Sequence, residues 1–204
     1  MIKDDLLRVF LEFHNNGIIN QSTNATFIAW VQKKSQTSRI SYYRSIGLVT
    51  SLYKIIAKVL LGRLCKVLQD TIYLTQGAFV EGRWILDAVM IANEVVDEKR
   101  SSWKEGVVFI ISFKKTYNLV DWDFLDHVLG RKGFSLRWRS WTRGCLSSTT
   151  FAILVNGNAR GWVKTLKGLR QGDLIFFFLF TIVVDVLSRL VVRVEEKVQR
   201  IQGG

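Results

Sequence analysis

The chain has no proline among its 204 residues, where about 5% is usual for a protein of any class. No pyrrolidine ring fixes φ anywhere, and a proline-rich linker between domains is excluded. Cysteine is nearly as scarce. Cys65 and Cys145 stand far apart and in no metal-ligand spacing, which excludes a disulfide scaffold. Two buried apolar thiols in a reducing, intracellular setting, nuclear or cytoplasmic, are expected.

Long apolar segments are also missing. The N-terminus, MIKDDLLRVF, has early acids and no apolar core, so no signal peptide is expected, and the glycosylation-like triplets at Asn20 and Asn24 are incidental. The most apolar run, Leu174 to Val184, reaches 11 residues before Asp185, against the roughly 20 that span a bilayer. A buried helix is expected there, with no membrane partner.

What is present suffices for a folded core. Apolar residues make up 49% of the chain, enough for one domain of ordinary size or two small subdomains. Lys and Arg outnumber Asp and Glu by 29 to 17, a formal net charge of +12, which points to a polyanionic partner.

Many of the cations fall in two blocks that contain no acid. Eight lie between Lys33 and Gln69, and nine between His127 and Gly172, the last of them Arg170. Interleaved with Tyr42, Tyr43, Trp138, Trp141 and Trp162, such blocks suit a phosphate backbone with aromatic faces for bases. Lys33, Lys34, Lys54, Lys58, Arg137, Arg139 and Arg143 are the candidate nucleic-acid contacts. The competing reading is a solvated basic surface whose aromatics face a core, and for Trp138 and Trp141, three apart on a helix, core is the expectation.

Periodicity predicts a helix over residues 2–14 ended by Asn15-Asn16-Gly17, a strand over 26–31, and a solvated loop to Ser41. Thr50 or Ser51 caps a helix to Gln69 with Ile55, Ile56, Val59, Leu60, Leu64 and Leu68 as its buried stripe. Further helices are expected over 84–99, 122–130, 136–146 and 173–198, followed by a frayed tail from Gln199. Strands are expected over 107–111 and, as a hairpin around Asn156-Gly157-Asn158, over 151–155 and 162–166.

Three segments then combine: YRSIGLVTSLYKIIAKVL (43–60), QGAFVEGRWILDAV (76–89) and GLRQGD (168–173), in that order around FIISFKKTYNLVDW (109–122). Together they closely resemble the reverse transcriptase domain of plant LINE-type (non-LTR) retrotransposons. The resemblance implies an α+β, helix-rich right-hand polymerase with a small, mainly antiparallel sheet. It would divide into a fingers-like region over 1–105 and a partial palm over 106–204. It also implies RNA, DNA or their hybrid as partner, and points to no known protein partner.

The family copies RNA into DNA by two-metal phosphoryl transfer, using magnesium held by acids, because two hard cations need several anionic oxygens. Here the position of the first family aspartate is Ser112, and the neighbouring acid is replaced by Lys114. Asp121 and Asp123 lie beyond the turn, where they read as a helix cap and a first-turn charge. The aromatic-Ala-Asp-Asp motif is absent from the 204 residues, and Asp4-Asp5 reads as N-terminal helix charge. No intact catalytic site and no bound metal are therefore expected of this chain.

The resemblance also assigns Arg44, Tyr117, Gln171 and Gly172 to the family's nucleotide pocket. Without it they read as a surface arginine, a core tyrosine and a helix-start turn. Family prolines are replaced by Gln32, Ser45, Leu174 and Phe177, each loss costing about 0.4–1 kcal/mol where the ring was unstrained. Three readings follow. The chain is a truncated, inactive polymerase fragment, a nucleic-acid-binding module, or an unstable remnant with the edge of Val107–Ile111 and Phe176-Phe177-Phe178 uncovered.

Overall fold

The computed structural model describes residues 2–34, 39–73, 84–102, 113, 116–170 and 172–202. Most of QGAFVEGRW, the strand expected over 107–111, Ser112, Lys114 and Gln171 lie outside the described residues.

The first helix, α1 (Ile2–Asn16), carries Asp4 and Asp5 in its first turn, where they complement the positive end of the helix dipole. It stops at Gly17, whose φ of 67° lets its amide bond to the Phe13 carbonyl at 2.8 Å, closing the helix as Asn-Asn-Gly suggested. Strand β1 (Ala25–Gln32) follows, and β2 (Tyr43–Val49) pairs with it antiparallel from Thr26↔Val49 to Gln32↔Tyr43. β2 was not expected from periodicity. Its apolar residues Ile46 and Leu48 share the exposed side with Arg44, so polarity does not alternate along it.

Thr50 caps α2 (Ser51–Thr71) by accepting from the Tyr53 amide at 3.3 Å, and its hydroxyl donates to the Thr23 carbonyl. The buried stripe is Tyr53, Ile56, Leu60, Leu64 and Leu68, one per turn. Ile55 and Val59, expected inside, are half exposed because at 100° per residue they fall on the flank of that stripe. α3 (Ile85–Ser101) begins after Trp84, and every one of its residues whose burial is described is exposed.

Asp121 caps α4 (Trp122–Arg131) through the Phe124 amide at 2.8 Å, and Ser135 caps α5 (Leu136–Ser147) through the Trp138 amide at 3.3 Å. Trp138 and Trp141 are core residues, as their spacing implied. α5 comes so close to the end of α1 that a Cβ on Gly144 would overlap the Gly17 carbonyl oxygen. Only glycine permits that contact.

The hairpin β3 (Thr150–Val155) and β4 (Asn158–Lys164) turns on Asn156 and Gly157, with φ of 50° and 78°. Positive φ at both residues matches the right-handed twist of the flanking strands. The second strand starts at once after this two-residue turn, earlier than the expected Trp162. The sheet order is β2-β1-β3-β4, with the β1–β3 pair parallel from Ala25↔Thr150 and the other two antiparallel. The helix-rich α+β class with a small, mainly antiparallel sheet is therefore the observed one.

The last helix, α6 (Leu174–Gln202), continues through the expected tail. Its segment Ile175–Val194 is long and apolar enough to cross a bilayer by length and composition, with mean hydropathy 2.4. Asp185 does not end the apolar stretch, because it is fully buried. Its carboxylate accepts from the Tyr73 amide at 2.7 Å and from Arg189 Nε at 3.0 Å. A third of that segment is buried, and such partners are what allow it to bury an acid.

The chain divides into two compact units, Met1–Leu61 with Thr116–Phe176, and Gly62–Lys115 with Phe177–Gly204. The first contains the sheet, α1, α4 and α5. Cys145 is buried there, as expected, whereas Cys65 on α2 is only half-buried. Phe176 is buried, and Phe177 is 44% exposed.

Candidate nucleic-acid interface

The four strands contain no Asp or Glu. In the register of β1 and β2, Val31, Ala29 and Phe27 lie opposite Arg44, Ile46 and Leu48 and so share one face. The Phe27 ring meets Trp162 of β4 edge-on at 5.7 Å, which brings Trp162 to that face. Trp162 is 56% exposed and Trp30, on the other face of β1, 44%. Arg44, Arg160 and Lys164 are all exposed. Cations and open aromatic rings on an acid-free sheet attract phosphates and offer stacking surfaces to bases.

The other candidate cations are placed differently. Lys33 and Lys34 are exposed just past β1, with Lys33 Nζ donating to the Ser41 carbonyl at 3.1 Å. Lys54 and Lys58 are exposed on α2. On α5, Arg137 reaches the His14 carbonyl at 3.3 Å and lies over the Trp141 ring. Arg139 binds Asp126 through Nε at 2.9 Å and through Nη2, and Arg143 binds Asp123. The second block lacks acids in sequence but not in space. The acids of α4, just before it, fold against α5.

Asp126 shows the electrostatic consequence. The Arg139 hydrogen bonds hold its carboxyl below the usual aspartate range, against the opposing effect of partial burial. Asp121 is the helix cap and Asp123 the first-turn charge that their position suggested, and Asp123 also pairs with Arg143 of α5.

Arg170 departs furthest from expectation. Counted by sequence among the polyanion-facing cations, it is 5% exposed and paired with Asp173 at 2.9 Å. Its Nη1 donates to Asn24 Oδ1 at 2.9 Å and Thr26 Oγ1 at 2.7 Å, and its guanidinium carbon lies 4.0 Å from the centre of the Tyr53 ring. Asn24 in turn donates to the Cys145 carbonyl at 2.7 Å and to Ser148 Oγ at 2.8 Å. This charge is internal, because Asp173, Asn24, Thr26 and the Tyr53 ring replace its water.

Burial also raises the Tyr53 phenol well above its ordinary value and pushes the Cys145 thiol up to about 12, with the Asp173 charge adding to both. Buried at 1% exposure, the Cys145 thiol is held in its neutral form. Tyr53 Oη and Arg170 Nε have no hydrogen-bond partner among the described residues.

Of the nucleotide-pocket candidates, Arg44 is exposed on β2 and Tyr117 is half-buried in a short 3-10 turn, Thr116–Leu119. The Tyr117 carbonyl accepts from the Leu169 amide at 2.7 Å, and Gly168 both donates to Val120 and accepts from Trp122 Nε1. A Cβ on Gly172 would lie 3.4 Å from the Gly47 carbonyl oxygen of β2. The GLRQGD segment therefore runs from the Tyr117 turn to the strand that carries Arg44.

The window around Ser112, where the family resemblance would put magnesium, lies outside the described residues. Among the described residues no three His, Cys, Asp or Glu side chains come together to hold a cation. Asp121, Asp123 and Asp126, the described acids that follow the expected window, are engaged with a helix end or with arginines.

Comparison with known proteins identifies the family. Residues 31–199 match the family described as "Reverse transcriptase (RNA-dependent DNA polymerase)". The chain is 23% identical over 181 residues to "Transposon TX1 uncharacterized 149 kDa protein" of Xenopus laevis, covering 89% of this chain and 14% of that protein. It is 24% identical over 114 residues to "Retrovirus-related Pol polyprotein from type-1 retrotransposable element R2" of Nasonia vitripennis, covering 56% of this chain and 11% of that one.

Proposed function

The chain belongs to the reverse transcriptase family as a domain of the LINE type, and from that premise we propose that it binds RNA, DNA or their hybrid without polymerising. The carrying observation is the acid-free sheet, with Arg44 and Trp162 exposed on one face, Trp30 on the other, and Arg160 and Lys164 exposed on β4. Arg44, Tyr117, Gln171 and Gly172 would face the nucleotide. The plant grouping and the division into fingers and partial palm remain part of this reading, resting on the motifs alone.

Loss of catalysis rests on Ser112 and Lys114. A serine hydroxyl carries no charge at neutral pH and a lysine repels a divalent cation, so the pair cannot replace acids that hold two metals. Primer extension on an RNA template, with Mg²⁺ or Mn²⁺, is expected to stay at the level of a heat-killed control. Extension above that level overturns the inactive reading.

Binding is tested by fluorescence anisotropy with a labelled RNA–DNA hybrid. If about three phosphates are neutralised, the log–log dependence on salt should have a slope of about −2 to −3. An affinity that ignores ionic strength, or no binding at low salt, overturns the binding reading.

A further inference from the structure

Arg170 and Asp173 flank Gly172 and are both held in the core. Arg170 reaches back to Asn24 and Thr26 at the start of β1, while Asp173 does two things. One carboxylate oxygen pairs with Arg170 at 2.9 Å and the other accepts from the Ile175 amide at 3.2 Å, which caps α6. Gly172 lies between these anchors with φ of 91°, a conformation that L side chains rarely adopt, and beside the Gly47 carbonyl.

The anchors have no role at the surface. Side-chain exposures of 1% and 2% leave neither charge open to a polyanion. Lysine could not reproduce the arrangement, because three side-chain oxygens on two sides of the guanidinium need its planar fork, and the Tyr53 ring stacks on its face.

We infer that Arg170 and Asp173 are positioning residues. Their buried pair, locked to Asn24 and Thr26, sets the approach of the Gly172 backbone to β2, and with it the fit of a nucleotide triphosphate against Arg44. This deepens the proposed function and rests on its reading of Arg44 and Gly172 as nucleotide-facing. Removing either partner alone strands a buried charge, whereas removing both need not unfold the chain.

The test compares the wild type with the double variant Arg170→Met/Asp173→Asn, which keeps the side-chain oxygen that caps α6. Two measurements are made: the assigned amide resonances of Gly172 and Gly47 without ligand, and titration with metal-free dTTP. Expected is a folded double variant with cooperative melting, displaced resonances for both glycines, and dTTP affinity at least tenfold weaker. Wild-type resonance positions in the folded double variant overturn the inference.

If the double variant does not fold, Arg170→Lys decides. Displaced glycine resonances support the fork's role, and wild-type positions overturn it. Failure of the wild type to bind dTTP overturns the nucleotide-facing reading alone, since the ligand-free resonances still report on the positioning.

Discussion

Arg170, just before α6, and the row of arginines on α5 belong to one acid-free stretch of sequence, yet they are physically unlike. Arg170 and Asp173 are sealed from water, and Arg170 also bonds to the side chains of Asn24, just before β1, and of Thr26 within it. Arg143 and Asp123, in contrast, keep 45% and 83% of their side-chain surface exposed. In water the attraction of an ion pair is screened and its side-chain entropy opposes it, so an exposed pair contributes little. Inside, the pair's own desolvation opposes it too, but breaking it leaves a stranded charge. The same two residue types thus act as a structural lock in one place and as a surface detail in the other.

That contrast is broken most directly by Arg170→Met alone. Leaving Asp173 buried without its partner should cost about 3–5 kcal/mol, a large share of the 5–15 kcal/mol typical of a domain. Urea denaturation would measure it, and a loss below 1 kcal/mol would make the two regions alike. Gly144→Ala asks whether the inner side of α5 is as intolerant as the Arg170 site. A methyl group against the Gly17 carbonyl should cost about 1–3 kcal/mol by overpacking, read as a fall in melting temperature.

Smaller effects sharpen the surface side. Asp121→Ala removes the α4 cap and should cost about 1 kcal/mol, with protection from hydrogen exchange falling first at the Phe124 amide. Arg143→Ala should change stability by no more than about 0.5 kcal/mol. Calorimetry showing a larger loss would mean that the exposed pair is more than a surface detail.

The Arg139–Asp126 pair makes a prediction about pH. Because the Asp126 carboxyl is held below its ordinary value in the folded chain, the stability it contributes is fully present above about pH 4 and is lost as pH falls through its folded value. Asp126→Asn should flatten that acid limb relative to the wild type. Identical acid limbs in both proteins would show that the contact does not persist in solution.

Much of the architecture was legible because its signals are local. Asn15-Asn16-Gly17 closes α1, Thr50 and Asp121 cap helices that begin within a few residues, and Asn156-Gly157 turns the hairpin. Each is a short-range match between residue type and backbone conformation. Ile55 and Val59 were misplaced because an apolar run marks a helix without saying which side will meet a neighbour. β2 was hidden because Ile46 and Leu48 lie on the open side with Arg44, leaving no alternation to read.

The candidate site divides in the same way. Family membership, the sheet's lack of acids and the replacement at Ser112 needed only the order of residues. The destination of each cation did not follow from that order. Arg139 and Arg143 met acids from the preceding helix, and Arg170 met Asn24, 146 positions away.

The sequence by itself determined the family, most of the helices, the hairpin turn and the excess of positive charge, because each depends on neighbours along the chain or on a simple sum. Tertiary structure alone decided which charge faces water. Burial is set by long-range packing, above all the parallel pairing of β1 with β3 beside the Asn24–Arg170–Asp173 network. A guanidinium stays inside only where distant side chains converge to replace its hydration.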